Sequence, residues 1–261
     1  MLLRILHLYP DLLNQEQSNI LVLSRRAQWR GIDLEISEAR RSDPWSLKNC
    51  DLVFLGSGTV EAQTAVAQDW SDKIPSLREA VDNGLVLLAI SAGYQLLGTA
   101  IRTAEGNIIP GAGIFSTATK IKPRRLEGPV AVRLSFLRSD QPVVGYENHQ
   151  GHTRIASSSS VVCQKNTVVP LGRVVYGQGN NGQDQTEGAR YKNALGTYIQ
   201  GPVLAKNPHL ADFLLEQALS HRYGQVRLSP LDDRLENQAN QEFFDQYRPH
   251  PLTQLLFSRR R

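Results

Sequence analysis

Four short runs of Leu, Val and Ile punctuate the first third of the chain: LLRILHL (2–8), DLEISEA (33–39), DLVFLG (51–56) and LVLLAI (85–90). Runs that are apolar on both faces suit parallel strands covered by helices. Between the first two, SNILVLSRRAQWRGI places Ile20, Leu23 and Ala27 on one helical face and offers Gly31 as the stop. SDKIPSLREAVDNG repeats the pattern, with Ser71 or Asp72 as the start, Leu77, Ala80 and Val81 as the apolar face and Gly84 as the stop. Strand alternating with helix predicts an α/β fold. Beyond about residue 103 the runs become short and β-like, as in IKPRRLEGPVAVRLSFL and QPVVGYENHQGHTRIA, which predicts an antiparallel extension of the same domain. The polar, Gly-rich stretch 176–191 reads as a long surface loop, followed by a strand in ALGTYIQG and a helix over 208–222. The chain therefore divides into a domain over 1–224 and a tail over 225–261. The tail comprises a helix in DDRLENQANQEFFDQY and a basic end carrying Leu252, Leu255, Leu256 and Phe257.

With 261 residues, 41% of them hydrophobic, the chain can bury a sizeable core. Its net charge of +4 is spread along the sequence, apart from Arg259, Arg260 and Arg261, which argues against nucleic acid as a partner. Cys50 and Cys163 are too few for a disulfide framework and have no metal-ligand spacing, so a reducing compartment is expected. His7, Tyr9, Pro10 and Asp11 interrupt the N-terminal apolar patch before a signal-peptide core forms. No stretch approaches the roughly 18 apolar residues of a membrane span. A cytoplasmic protein without a membrane span is the expectation.

Chemistry concentrates in the turns. In LVLLAI-Ser91-Ala92-Gly93-Tyr94-Gln95, a buried strand feeds a small-residue turn and then a helix, the layout of a nucleophile elbow, although Ala89 stands where G-x-S-x-G has its first Gly. The alternative for Ser91 is a helix cap in a plain tight turn. Gly56-Ser57-Gly58 ends another strand beside it. The polar cluster Gly145 to Thr153 holds His149 and His152, which are a base, a ligand pair or structural residues; with no third ligand in view, metal binding is disfavoured.

Together, HLYPDLLN, the SNILVLSRRAQWRGI helix, LGSGTVEAQ, AISAGYQLLG, PGAGIF, RRLEG, GYENHQGHT and NNGQDQTEGARYKNALGTYIQGPVLAKNPHLAD resemble the GatD family. These are class I (triad-type) glutamine amidotransferases of the CobB/CobQ-like group. The resemblance runs from about residue 6 to about residue 218. It implies a flavodoxin-like, mostly parallel sheet with flanking helices and a short antiparallel extension. It also implies a role as the glutaminase subunit of the MurT/GatD lipid II isoglutaminyl synthase, which amidates the α-carboxylate of the stem-peptide D-glutamate. The implied partner is a MurT-like Mur-ligase-family protein, the implied ligand is glutamine, and no cofactor is implied.

Two positions depart from the family. Ser91 stands where the family elbow has its Cys, and Gln200 stands where T-Y-L-H-G-P has its His. A thiol titrates near ~8.5 and is readily made a thiolate, whereas a hydroxyl needs a base, and an amide accepts no proton at neutral pH. Arg125 matches the glutamine-binding position, where a guanidinium suits a carboxylate. Ser57, Gly58, Ala92, Glu147, Asn148 and His149 complete the expected oxyanion and pocket set. The leading expectation is a GatD-like subunit without glutaminase chemistry that acts by binding. The alternatives are a Ser91 hydrolase served by His149 or His152, and a glutaminase into which Cys-to-Ser and His-to-Gln changes were introduced.

Overall fold

The computed structural model describes residues 1–156 and 167–249; Cys163, Leu252, Leu255, Leu256, Phe257 and Arg259 to Arg261 lie outside the described residues. The first part runs β1 (Leu2–Leu8), α1 (Ser18–Gln28), β2 (Asp33–Ala39), β3 (Leu52–Leu55), α2 (Val60–Asp69), α3 (Ile74–Asp82), β4 (Val86–Ile90) and α4 (Ala92–Leu96). The second runs β5 (Ala100–Arg102), β6 (Ile108–Pro110), β7 (Thr117–Arg133), β8 (Val143–Ile155), β9 (Gly172–Tyr176), β10 (Thr186–Glu187), β11 (Ala189–Tyr191), β12 (Ala194–Thr197), α5 (Pro208–Tyr223) and α6 (Arg234–Tyr247).

One six-stranded sheet has the order β11-β12-β4-β3-β1-β2 and is parallel except at β11. Its inner strands β1, β3, β4 and β12 are buried on both sides because their apolar residues alternate between two cores, while the edge strand β2 is largely exposed. Leu3, Ile5, Leu52, Phe54, Val86 and Leu88 pack with α1 and α5. Leu6, Leu8, Val53, Leu55, Leu87 and Ala89 pack with α2 and α3. The fold is the α/β architecture expected. The expected short antiparallel extension is larger: β5 to β10 form a second six-stranded sheet, antiparallel except between β5 and β7, built on the 17-residue β7 and the 13-residue β8.

Three local differences from the sequence reading have physical causes. VEAQTAVAQD, to which the sequence reading gave no element, is α2, and Thr59 caps it by accepting the Ala62 N–H at 3.2 Å. The helix α3 starts at Ile74 rather than Ser71, with Pro75 in its first turn. The expected surface loop at 176–191 buries Asn180, Asn181 and Glu187, because their side chains satisfy backbone groups of the surrounding strands.

The segment after Gly224 packs back on the rest of the chain. Phe244 joins Ala131, Val144 and Tyr176, and the buried Asn240 side chain donates to the Pro142 and Lys206 carbonyls, each at 3.0 Å. At the other end of α6, the buried Arg26 guanidinium binds Asp212 of α5 and Asp233 beside α6, both at 2.7 Å. Among the described residues, no helix is long and apolar enough to cross a membrane. Removing one partner of such a buried pair leaves charge unpaired. Arg26→Ala is therefore expected to cost about 3 to 5 kcal/mol in urea unfolding; a loss below about 1 kcal/mol would show that the clamp does not hold α1, α5 and α6 together.

Candidate functional site

The carboxyl ends of β3, β4 and β12 meet at one cleft of about 450 Å³. At its base β4 turns sharply into α4, and Ser91 takes φ 52°, ψ −104°, a conformation costly for a residue with a Cβ. Three backbone bonds impose it: Ser91 N–H to Thr197 O at 2.8 Å, Gln95 N–H to Ser91 O at 3.0 Å, and Gly93 N–H to Gly56 O at 3.1 Å. The last is possible because both turns bring glycine to the contact. A Cβ on Gly93 would sit 2.7 Å from Gly56 O and 2.9 Å from the Leu55 Cβ. The Ser91 side chain makes no cap bond, so the helix-cap alternative does not describe this turn.

Ser57, Gly58, Ser91, Ala92, Arg125, Asn148, His149 and Gln200 all line the cleft. Arg125 reaches it from a break in the ladder. The step from Ile121 to Leu126 on β7 faces only Gly151 to His149 on β8, and Pro123 falls in the bulge, where a missing N–H costs nothing. Its guanidinium donates to Asn148 Oδ1 at 2.7 Å. Gln200 is held through its backbone, by reciprocal bonds to Tyr146 at 2.8 and 3.2 Å.

Two expected residues behave differently. Ser57 gives its N–H to Gln15 O at 3.2 Å, so that donor is taken, and its φ is not positive, so it carries no left-handed strain. Among the described residues, the N–H groups of Gly58 and Ala92 have no backbone partner. Glu147 does not line the cleft. It lies on the same face of β8 as His149 but is fully buried, accepting the N–H groups of Gln178 and Gly179 in the turn after β9, the latter at 2.8 Å.

His149 lies flat on Tyr198, with ring centroids 3.6 Å apart and planes at 5°. Its Nδ1 is 2.7 Å from Gly151 O; a carbonyl only accepts, so that nitrogen carries the proton. Among the described residues Nε2 has no hydrogen-bond partner, and it lies 3.9 Å from Glu147 Oε2. His149 and Ser91 thus share the cleft but are not hydrogen-bonded to each other. His152 falls on the opposite face of β8, so the two histidines share no ligand position. Among the described residues, no group of His, Cys, Asp or Glu is placed to hold a metal ion. Cys50 is no substitute nucleophile, since it lies away from the cleft and burial pushes its thiol up to about 11.

Sequence reading overlooked the amides that floor the cleft. Gln63 donates to Gln95 Oε1 at 2.7 Å and to Ala92 O at 3.2 Å. Gln95 donates to the Tyr198 hydroxyl at 3.1 Å, which pairs with Thr153 Oγ1 at 2.7 Å. Glu187 was overlooked as well. It takes the Tyr198 N–H at 2.7 Å and the Thr197 hydroxyl at 3.0 Å, fixing the strand end on which Ser91 hangs. All three fell inside stretches that carry the family resemblance, but a polar side chain there gives no periodic signal of the partners it meets.

Residues 4–208 match the CobB/CobQ-like glutamine amidotransferase domain. The chain is 34% identical to the lipid II isoglutaminyl synthase (glutamine-hydrolyzing) subunit GatD of Staphylococcus aureus, over 93% of this chain and 95% of that one. It is also 34% identical to the subunit of that name from Streptococcus pneumoniae, over 93% and 91%. A crystal structure of a glutamine amidotransferase superposes with a TM-score of 0.52 at 15% identity, covering 82% of this chain and 98% of that one, a likeness of fold.

Burial first, and then the charge of Glu147, raise the Glu187 carboxyl to about 8. An acid whose folded pKa is raised binds more protons folded than unfolded. Its stabilisation is complete below the unfolded value near 4.5 and is lost as pH rises to about 8. Urea midpoints measured from pH 5 to 8 are expected to fall in the native chain and to flatten in Glu187→Gln. Parallel slopes in the two proteins would assign the pH dependence elsewhere.

Proposed function

The chain belongs to the CobB/CobQ-like glutamine amidotransferase family and within it to the GatD group, and on that premise we propose that it is the amidotransferase-type subunit of a cell-wall amidating complex that binds rather than hydrolyses glutamine. The observation that carries this reading is the contrast at the base of the cleft. Ser91 keeps a strained elbow, yet the group it presents is a hydroxyl, and the facing position 200 offers an amide. A hydroxyl needs a base in contact to become a nucleophile. The Gln200 amide accepts no proton, and the His149 Nε2 makes no bond to Ser91.

The binding half of the site is coherent. The Arg125 guanidinium at the rim suits the carboxylate of an amino acid, and Gln15, Gln63, Gln95 and Gln150 supply neutral donors and acceptors for its polar groups. The proposed partner is a Mur-ligase-family protein of the MurT type, which would take up free ammonia while this subunit holds the complex together.

Purified protein is expected to release no ammonia from glutamine above background, because loss of a nucleophile and base costs on the order of 10⁴ to 10⁶ in rate. Ser91→Cys combined with Gln200→His should recover turnover, and either change alone should do far less, since the two groups act as a unit. Robust turnover by the native chain would sink the reading; equal recovery from one change would mean the pair is misassigned. Co-expression with a MurT-type protein should give a complex burying at least about 1,000 Å². Co-purification at equal stoichiometry and small-angle scattering would report it, and two separate species would remove the docking role.

A further inference from the structure

On the reverse face of the β7–β8 ribbon lies a second concavity, of about 470 Å³, that the proposed function does not use. Strand register builds it. Arg102 on β5 stands beside Lys120 on β7, which stands beside His152 on β8, a row crossing three strands at about 4.8 Å per step. Lys122 follows two residues along the same face, and Arg154 lines the next row. Among the described residues, no acidic side chain lines the concavity. Among the described residues, Arg102, Lys120, Lys122 and Arg154 form no salt bridge; Arg154 makes a neutral bond to Gln183 at 3.0 Å and feels Asp184 only at longer range.

Like charges on neighbouring strands destabilise a sheet. Here two guanidinium and two ammonium groups converge with no internal counter-charge lining the space, a cost that an external anion would relieve. The space is that of a small-molecule site rather than a flat protein-binding face. Its far end is apolar, because Ile108 on β6, beside Arg102, is 54% exposed. Guanidinium forks and ammonium point charges together match oxygens spread over more than one phosphate.

We infer that this concavity binds a phosphorylated ligand carrying two or more negative charges, held by Arg102, Lys120, Lys122 and Arg154, with the organic part of the ligand against Ile108. The site is separate from the cleft and does not depend on the reading given for it.

The test titrates inorganic pyrophosphate into the full chain by calorimetry and, in a second arm, sediments the chain with phosphatidylglycerol or phosphatidylcholine vesicles. Saturable pyrophosphate binding that weakens about 10-fold or more in Arg102→Gln/Lys120→Gln, and that falls as salt is raised, upholds the site with a free phosphate compound as ligand. Sedimentation with phosphatidylglycerol but not phosphatidylcholine, lost in the double variant, upholds it with a lipid headgroup as the source. The double variant removes repulsion, so its melting temperature without ligand should equal or exceed that of the native chain. If it fails to fold, Ala118→Glu, which puts an acid opposite Arg154 on the same face, serves instead and should abolish binding. No saturable binding in either arm, or binding unchanged by these substitutions, overturns the inference.

Discussion

The φ of 52° at Ser91 is the constraint around which the molecule is arranged. A residue with a Cβ adopts it only when its surroundings over-determine it, at a cost of about 1 to 3 kcal/mol. The surroundings here are three strand ends. The parallel pairing of β3 and β4 brings Gly56 and Gly93 into contact, and the pairing of β4 with β12 puts Thr197 O under the Ser91 N–H. β12 is in turn fixed by a carboxyl that accepts from both Thr197 and Tyr198 while fully buried. The cost of that burial appears as the raised pKa of Glu187, so the strain at the elbow and the displaced titration are two parts of one arrangement.

Above that base the cleft is made of neutral amides with charge only at its rim. Arg125 and Glu61 are the charged side chains in the lining, and Arg125 is there because β7 bulges. Such a surface can satisfy many hydrogen bonds and orient a zwitterion, while offering no proton acceptor in contact with the hydroxyl at position 91. The groups that line the cleft wall and the group at its base come from different elements, Arg125 from the β7 bulge and Ser91 from the β4 turn.

The apolar runs of β1 to β4 and the periodic faces of α1 and α3 were legible in the sequence, because burial on both sides of a strand or one side of a helix writes itself in residue order. Ser91, Arg125 and Gln200 were legible through motif and resemblance. What stayed hidden depends on partners distant in sequence. Asn180, Asn181 and Glu187 looked like a solvated loop because a polar side chain is read as exposed until its backbone partners are known. The capture of the Ser57 N–H by Gln15 and the turning of Glu147 toward Gln178 and Gly179 are likewise pairings that no local window contains. The capped helix α2 was different: its buried face mixes Gln63 with Val66 and Ala67, so no apolar period registers, whereas the shorter α3 buries Leu77 and Val81.

The β7–β8 ribbon separates two concavities with a wall one strand-layer thick, and along the central stretch the pleat parts Ile121 and Gly151, which line the first, from Lys120, Lys122 and His152, which line the second. Insertions and deletions here therefore obey a parity rule. Loss of two residues shortens the wall but keeps each side's chemistry, whereas loss of one turns the ribbon inside out, driving ammonium groups into the amide-lined cleft and apolar side chains into the cationic hollow. The bulge between Ile121 and Leu126 is the place where an odd step is already absorbed, and length variation among related chains should be confined to it.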